Sequence, residues 1–232
     1  MAAELKVMSA RAVKAAVSVL AQEFSRASGC VVTCDFAPVG AVEQKLATGA
    51  PADVVILSTS AIATLAKSQR ILVGSERVLG RTSIGVAVRA GAAVPDIATP
   101  ETFKALLLSV RAIALSDPAV GGTAARYLPQ LFERMELSEA LEAKLVRCSG
   151  GGDVAERVAR GEAEIGITFI SEILPISGVR VVGPLPAIYG NDTTYCAAVY
   201  AGSAKTAVAQ GLIEALASPA GDSIWRSAGF AR

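Results

Sequence analysis

Four short stretches carry the residue types that hold small anions: MSARAV (8–13), FAPVGAV (36–42), SDPAVGGTA (116–124) and CSGGGDVA (148–155). Each follows a short apolar run and leads into a helical pattern. Such junctions bare backbone N–H groups at the positive end of a helix dipole, where anions are commonly held. Ser9 and Arg11 add a hydroxyl and a guanidinium to the first stretch. In the third, Gly121 and Gly122 permit close backbone approach. Thr123 can cap the following helix or offer its hydroxyl. Arg126, one turn into that helix, is either a solvated charge or a planar fork reaching back to a ligand, and that fork suits a carboxylate better than a tetrahedral oxyanion.

In the fourth stretch, Gly151 and Gly152 expose consecutive N–H groups. Asp153 complicates that site, because its carboxylate can cap the next helix and occupy donors that an external anion would need. Two further carboxylates raise a similar question. Glu172 lies in FISEILP (169–175), and Glu43 lies one turn into the helix after FAPVG. Either is solvated, or it faces the pocket as a base or an arginine partner, since a lone carboxylate would repel an anionic ligand.

The composition removes several chemistries. The 232 residues contain no histidine, which excludes Ser-His-Asp and Cys-His catalysis, His-ligated zinc and the usual proton shuttle near neutral pH. The four cysteines, Cys30, Cys34, Cys148 and Cys196, include no CxxC pair. Residues i and i+4 of a strand lie roughly 13 Å apart, beyond the roughly 7 Å that a disulfide allows, so Cys30 and Cys34 cannot bridge there. All four read as small apolar residues. No metal and no cofactor is called for. A net charge of +1 without any basic tract argues against nucleic acid as a partner. No apolar run approaches the roughly 18 residues of a membrane helix, so the chain is expected to be soluble rather than membrane-embedded. MAAELKVMSA lacks the basic-then-apolar order of a leader; the expected location is periplasmic if a leader precedes this chain and cytoplasmic otherwise.

These loops must be positioned by an alternation of strands and helices. β-type runs read at 5–8, 31–36, 53–57, 83–88, 112–115, 164–169, 179–182 and 194–200. Between them lie amphipathic stretches such as Val13, Val17, Leu20 and Phe24, then Leu128, Leu131, Phe132 and Met135, and near the end Val208, Leu212, Ile213 and Leu216. Alternating units of this kind imply an α/β fold whose mixed, mostly parallel sheets are flanked by helices. Ligands of such folds bind at the loops beyond the carboxyl ends of the strands. The segment LGRTSIGVAVRAG (79–91) reads as a strand carrying the chain into a second lobe, and YGNDTTY (189–195) as the way back. The expected division is therefore 1–81 with 193–232 as one lobe and 82–192 as the other.

KVMSARAVKAAVSVLAQEF, FAPVGAVEQKLATGAPADVVIL, SDPAVGGTAARY, RGEAEIGITFISEI and SPAGDSIWRSAGF, in that order, resemble the periplasmic molybdate-binding protein family, the solute receptors of ABC importers. The resemblance covers nearly the whole chain. It implies a two-lobe type II periplasmic-binding fold, a ligand cleft between the lobes that closes by a hinge near 81–83 and 193–195, and a membrane component of an importer as partner. It also implies an oxyanion held by hydroxyls and backbone N–H groups, and here the chain departs from the pattern. Ala12 stands where the family places a serine, Pro38, Val39 and Gly40 replace a second serine motif, and Phe169 falls at the position of a ligand-binding tyrosine. Backbone donors near Ser58, Thr123 and Gly151 are retained. Losing charge-assisted hydrogen bonds worth roughly 1.5–3 kcal/mol each disfavours molybdate. The preferred reading is a solute-binding protein for a small organic carboxylate. The alternative, drawn from relatives of these receptors, is an isomerase of the aconitate type, shifting a proton in a tricarboxylate without metal and using Glu172 or Glu43 as base.

Overall fold

In the computed structural model, which describes residues 4–232, the apolar stripes of the sequence become buried helix faces. Met1–Ala3, the first residues of MAAELKVMSA, lie outside the described residues. The elements in chain order are β1 (Glu4–Ala10), α1 (Lys14–Ser28), β2 (Val31–Ala37), α2 (Val39–Ala47), β3 (Val54–Ser58), α3 (Thr59–Lys67), β4 (Arg77–Arg89), α4 (Pro100–Ser109), β5 (Ile113–Ser116), α5 (Thr123–Arg134), α6 (Ser138–Glu142) and β6 (Leu145–Cys148). They continue with α7 (Gly151–Ala159), β7 (Ile165–Phe169), α8 (Ile170–Ile173), β8 (Val179–Pro184), β9 (Asp192–Val199), α9 (Thr206–Ala217) and α10 (Asp222–Ser227). Single 3-10 turns occupy Arg11–Val13, Pro118–Val120, Ala187–Tyr189 and Pro219–Gly221. Among the described residues no helix is long and apolar enough to cross a membrane.

The chain forms two compact units, one ending at Arg81 and resuming over Thr193–Arg232, the other spanning Thr82–Asp192. It passes from one to the other inside β4 and returns at the start of β9.

In the first unit β2, β1 and β3 are parallel neighbours, and β9 lies antiparallel to β3, with Val54 opposite Val199 and Ser58 opposite Tyr195. Every residue of β3 is buried, which is why VVIL reads as a continuous apolar run rather than an alternating one. Val13, Val17 and Leu20 are buried at α1 and the turn before it, Phe24 is half-buried, and α1 packs against α9, whose Leu212, Ile213 and Leu216 are buried. The side chain of Trp225 is fully buried, its indole N–H donates to the Leu216 carbonyl at 2.9 Å, and its ring meets Phe230 edge-on at 5.1 Å.

In the second unit β6, β5 and β7 are parallel, while β4 runs antiparallel to both β7 and β8. The β4–β8 register breaks between Val86 and Ala87. Helix α7 lies on β5 and β7, close enough that a Cβ on Gly166 would come within 2.9 Å of both Val154 and Val158.

Two elements differ from the sequence reading. Strand β4 both begins and ends earlier than the strand read at 79–91, running from Arg77 to Arg89. Strand β6 was not expected at all: it has four residues, of which only Cys148 is fully buried, so it shows neither alternation nor an apolar run. All four cysteines are free.

Candidate functional site

The parallel registers bring the candidate loops of each unit to neighbouring strand ends. In the first unit Ala10 pairs with Ala37 and Ser9 with Ile56, so the segments after β1, β2 and β3 emerge side by side. Ser9 is fully buried and its hydroxyl donates to the Ala10 carbonyl at 3.2 Å. Arg11 opens the 3-10 turn that follows and is half-buried, with Ala12 buried behind it. Val39 is buried at the first position of α2, and Gly40, next to it, is half-buried. Ser58 caps α3: its hydroxyl accepts from the Ala61 N–H at 3.4 Å and lies 3.1 Å from the Ser60 hydroxyl. Glu43 is half-buried on α2.

In the second unit Ser116 pairs with Cys148, and Leu115 with Ile167, so the segments after β5, β6 and β7 converge. Asp117 shapes the first of these by accepting from the Ala119 N–H at 2.9 Å. Gly121 then adopts φ 75°, a left-handed conformation that favours glycine. The cap of α5 corrects the sequence reading: Gly122 occupies the capping position without a side-chain bond, and Thr123 is the first helical residue. A threonine already at helical φ/ψ cannot reach back to the N–H groups that a capping residue serves. Arg126 is exposed, and its guanidinium has no hydrogen-bond or ion-pair partner among the described residues. The next residue, Tyr127, ties α5 to the segment preceding β9, donating to the Tyr189 carbonyl at 3.0 Å.

The α7 end brings a second correction. Gly150, not Asp153, holds the capping position, with no side-chain bond to the helix. Asp153 lies in the first turn and reaches backwards, accepting from the N–H of Ser149 at 2.8 Å and its hydroxyl at 3.2 Å, and from Arg157 at 3.2 Å. Burial pushes the Asp153 carboxyl up, but these donors outweigh it and hold it below the usual carboxylate value. Burial, reinforced by the charge of Asp153, pushes the neighbouring Cys148 thiol up to about 11, so it stays protonated.

The contact that sequence reasoning missed joins β7 to α7. Thr168 is completely buried, and its hydroxyl donates to Glu172 Oε2 at 3.1 Å. That carboxylate lies over Gly151: a Cβ built there would be 2.1 Å from Glu172 Oε2 and 2.3 Å from Thr168 Oγ1. The only sequence signal was a threonine in a strand buried at every position. On the same turn as Glu172, the Ser171 hydroxyl is buried and has no hydrogen-bond partner among the described residues. Phe169, buried at the end of β7, contributes no hydroxyl.

Comparison with known proteins places this geometry. The family of bacterial extracellular solute-binding proteins matches residues 5–231. The chain is 33% identical over 219 residues to an aconitate isomerase from a Pseudomonas species, covering 92% of this chain and 82% of that protein. It is 24% identical over 229 residues to the molybdate-binding protein ModA of Escherichia coli K12, covering 98% and 88%. The periplasmic molybdate-binding protein of Azotobacter vinelandii has the same fold, with a TM-score of 0.79 at 21% identity over 98% of this chain and 99% of that one. The α/β sheets with strand-end loops are those of the periplasmic-binding fold, and the chain belongs to the bacterial extracellular solute-binding protein family.

Proposed function

We propose that this protein binds a small organic carboxylate rather than a tetrahedral metal oxyanion. The observation that carries this reading is the absence of an unengaged side-chain hydroxyl at three positions near the strand ends. Ala12 and Phe169 offer none, and the Ser58 hydroxyl, whose oxygen caps α3, shares a hydrogen bond with the Ser60 hydroxyl. An oxyanion relying on such donors would forgo roughly 1.5–3 kcal/mol for each charge-assisted bond. The exposed Arg126 presents a planar fork that matches a carboxylate in two-point fashion. Backbone N–H groups at the start of α5, one turn before Arg126, add donors beside it. In this reading the protein works outside the cytoplasm and delivers its ligand to the membrane component of an ABC importer.

A thermal-shift and calorimetry panel tests it. Citrate, the aconitates and simple dicarboxylates are expected to stabilise the protein and bind, while molybdate, tungstate and sulfate are not. Strong stabilisation by molybdate with none by carboxylates would overturn the reading.

A second reading is favoured by the 33% identity to an aconitate isomerase across 92% of this chain. Here the bound tricarboxylate is changed: a carboxylate base removes a proton from a methylene carbon, the double bond moves by one position, and the proton returns to the far carbon, with no net oxidation. Glu172 and Glu43 are the base candidates. NMR of trans-aconitate incubated with the protein should show the cis isomer; no conversion over hours at high protein concentration would remove this reading and leave the binding role intact.

A further inference from the structure

We infer that Glu172, steadied by Thr168 and seated over Gly151, is a specificity-determining residue that closes the start of α7 to tetrahedral oxyanions and selects a carboxylate bearing a hydrogen-bond donor. The inference rests on the anion-binding reading above. Two observations carry it. The first is occupancy: the carboxylate and the Thr168 hydroxyl fill the volume above Gly151, within 2.1–2.4 Å of where a Cβ would stand. The glycine is therefore what permits the approach, and an external oxyanion cannot take the same space. The second is chemical sense. A carboxylate only accepts hydrogen bonds, and sulfate or molybdate, likewise lacking donor hydrogens, has nothing to give it. A ligand group entering here must donate, as the hydroxyl of a hydroxy acid does.

Thr168 is a positioning residue in this arrangement. Its side chain is buried on β7, a strand held between β4 and β5, so the hydroxyl that receives the carboxylate is fixed by the sheet.

The test compares the native chain with Glu172→Gln, Glu172→Ala and Thr168→Val, using calorimetry with sulfate, molybdate, citrate and tricarballylate, the last being citrate without its hydroxyl. The native chain should prefer citrate to tricarballylate by about tenfold or more, the value of one charge-assisted hydrogen bond. Glu172→Ala, which empties that volume, should erase that preference and bind sulfate or molybdate at least tenfold more tightly than the native chain does, whereas Glu172→Gln, which keeps the volume, should weaken the citrate preference without admitting the oxyanions. Thr168→Val keeps the carboxylate but releases it, and should move both readouts in the same direction, which preserves the test if a Glu172 variant fails to fold. Folded variants that remain as blind to oxyanions as the native chain, with an unchanged citrate preference, would overturn the inference while leaving carboxylate binding in place. A native chain that binds neither carboxylate would instead count against the parent reading.

Discussion

Glu172 Oε2 lies so near Gly151 that a single added methyl group would overlap it, at 2.1 Å. The second neighbour of that methyl, Thr168 Oγ1 at 2.3 Å, belongs to a buried strand and cannot swing away as a carboxylate can. Gly151→Ala is therefore expected to expel the Glu172 carboxylate and to cost about 1–3 kcal/mol through overpacking. Chemical denaturation measures the loss, and adding Glu172→Ala to the same chain should recover part of it. An alanine variant as stable as the native chain would contradict the packing described.

Gly166 makes a comparable demand in the core. A Cβ there would press on Val154 and Val158 at 2.9 Å, both completely buried on α7. Gly166→Ala should lift α7 from the sheet and destabilise by about 1–3 kcal/mol, and trimming Val158 to alanine in the same background should offset some of that loss in a denaturant titration.

Arg126 is exposed and partnerless among the described residues, so its removal separates binding from stability. Arg126→Ala should leave the melting temperature within about a degree, as for most surface substitutions. It should weaken the carboxylate that gives the largest thermal shift by about tenfold, the worth of one charge-assisted contact. Unchanged affinity would take Arg126 out of the site.

Asp53 is the buried acid whose titration stability should report. Burial pushes its carboxyl up. The Lys6 N–H at 2.8 Å, the Ser203 hydroxyl at 2.7 Å and the Lys205 ammonium at 3.3 Å outweigh burial and hold it below the usual carboxylate value. A carboxyl depressed by folding adds stability that is present above its unfolded value and disappears as the pH falls through the folded one. The melting temperature should therefore drop on acidification through the carboxylate range. Asp53→Asn should flatten that part of the profile and cost about 1–3 kcal/mol at neutral pH, because an amide accepts the same donors less strongly.

Much of the α/β layout was legible because its signals are local. The Val13, Val17 and Leu20 stripe became a buried face, and VVIL became a strand buried at every residue, since periodicity and burial follow directly from helix and strand geometry. Strand β6 escaped because a four-residue edge strand with one fully buried side chain has no period to detect. The caps were misassigned for a related reason. Gly122 and Gly150 end their loops in extended backbone, and which residue first turns helical is decided by the loop's path rather than by side-chain preference. At the candidate site, residue types marked the segments after the strands, which the parallel registers bring side by side within each unit. The approach of Glu172 to Gly151, across 21 positions of sequence, is a tertiary fact that no local pattern encodes.

The division of the chain also dictates an order of assembly. Residues 82–192 form one uninterrupted unit, so on a ribosome every strand of that unit exists once Asp192 has been made. The other unit must wait. Until residues 193–232 arrive, β3 lacks its antiparallel neighbour β9, and Trp225 is not there to bury. During that interval β3, apolar at four of its five positions, is an unpaired edge of the kind that associates with other chains. The late-made segment is thus both a structural closure and the end of the period in which the nascent protein is most prone to aggregate.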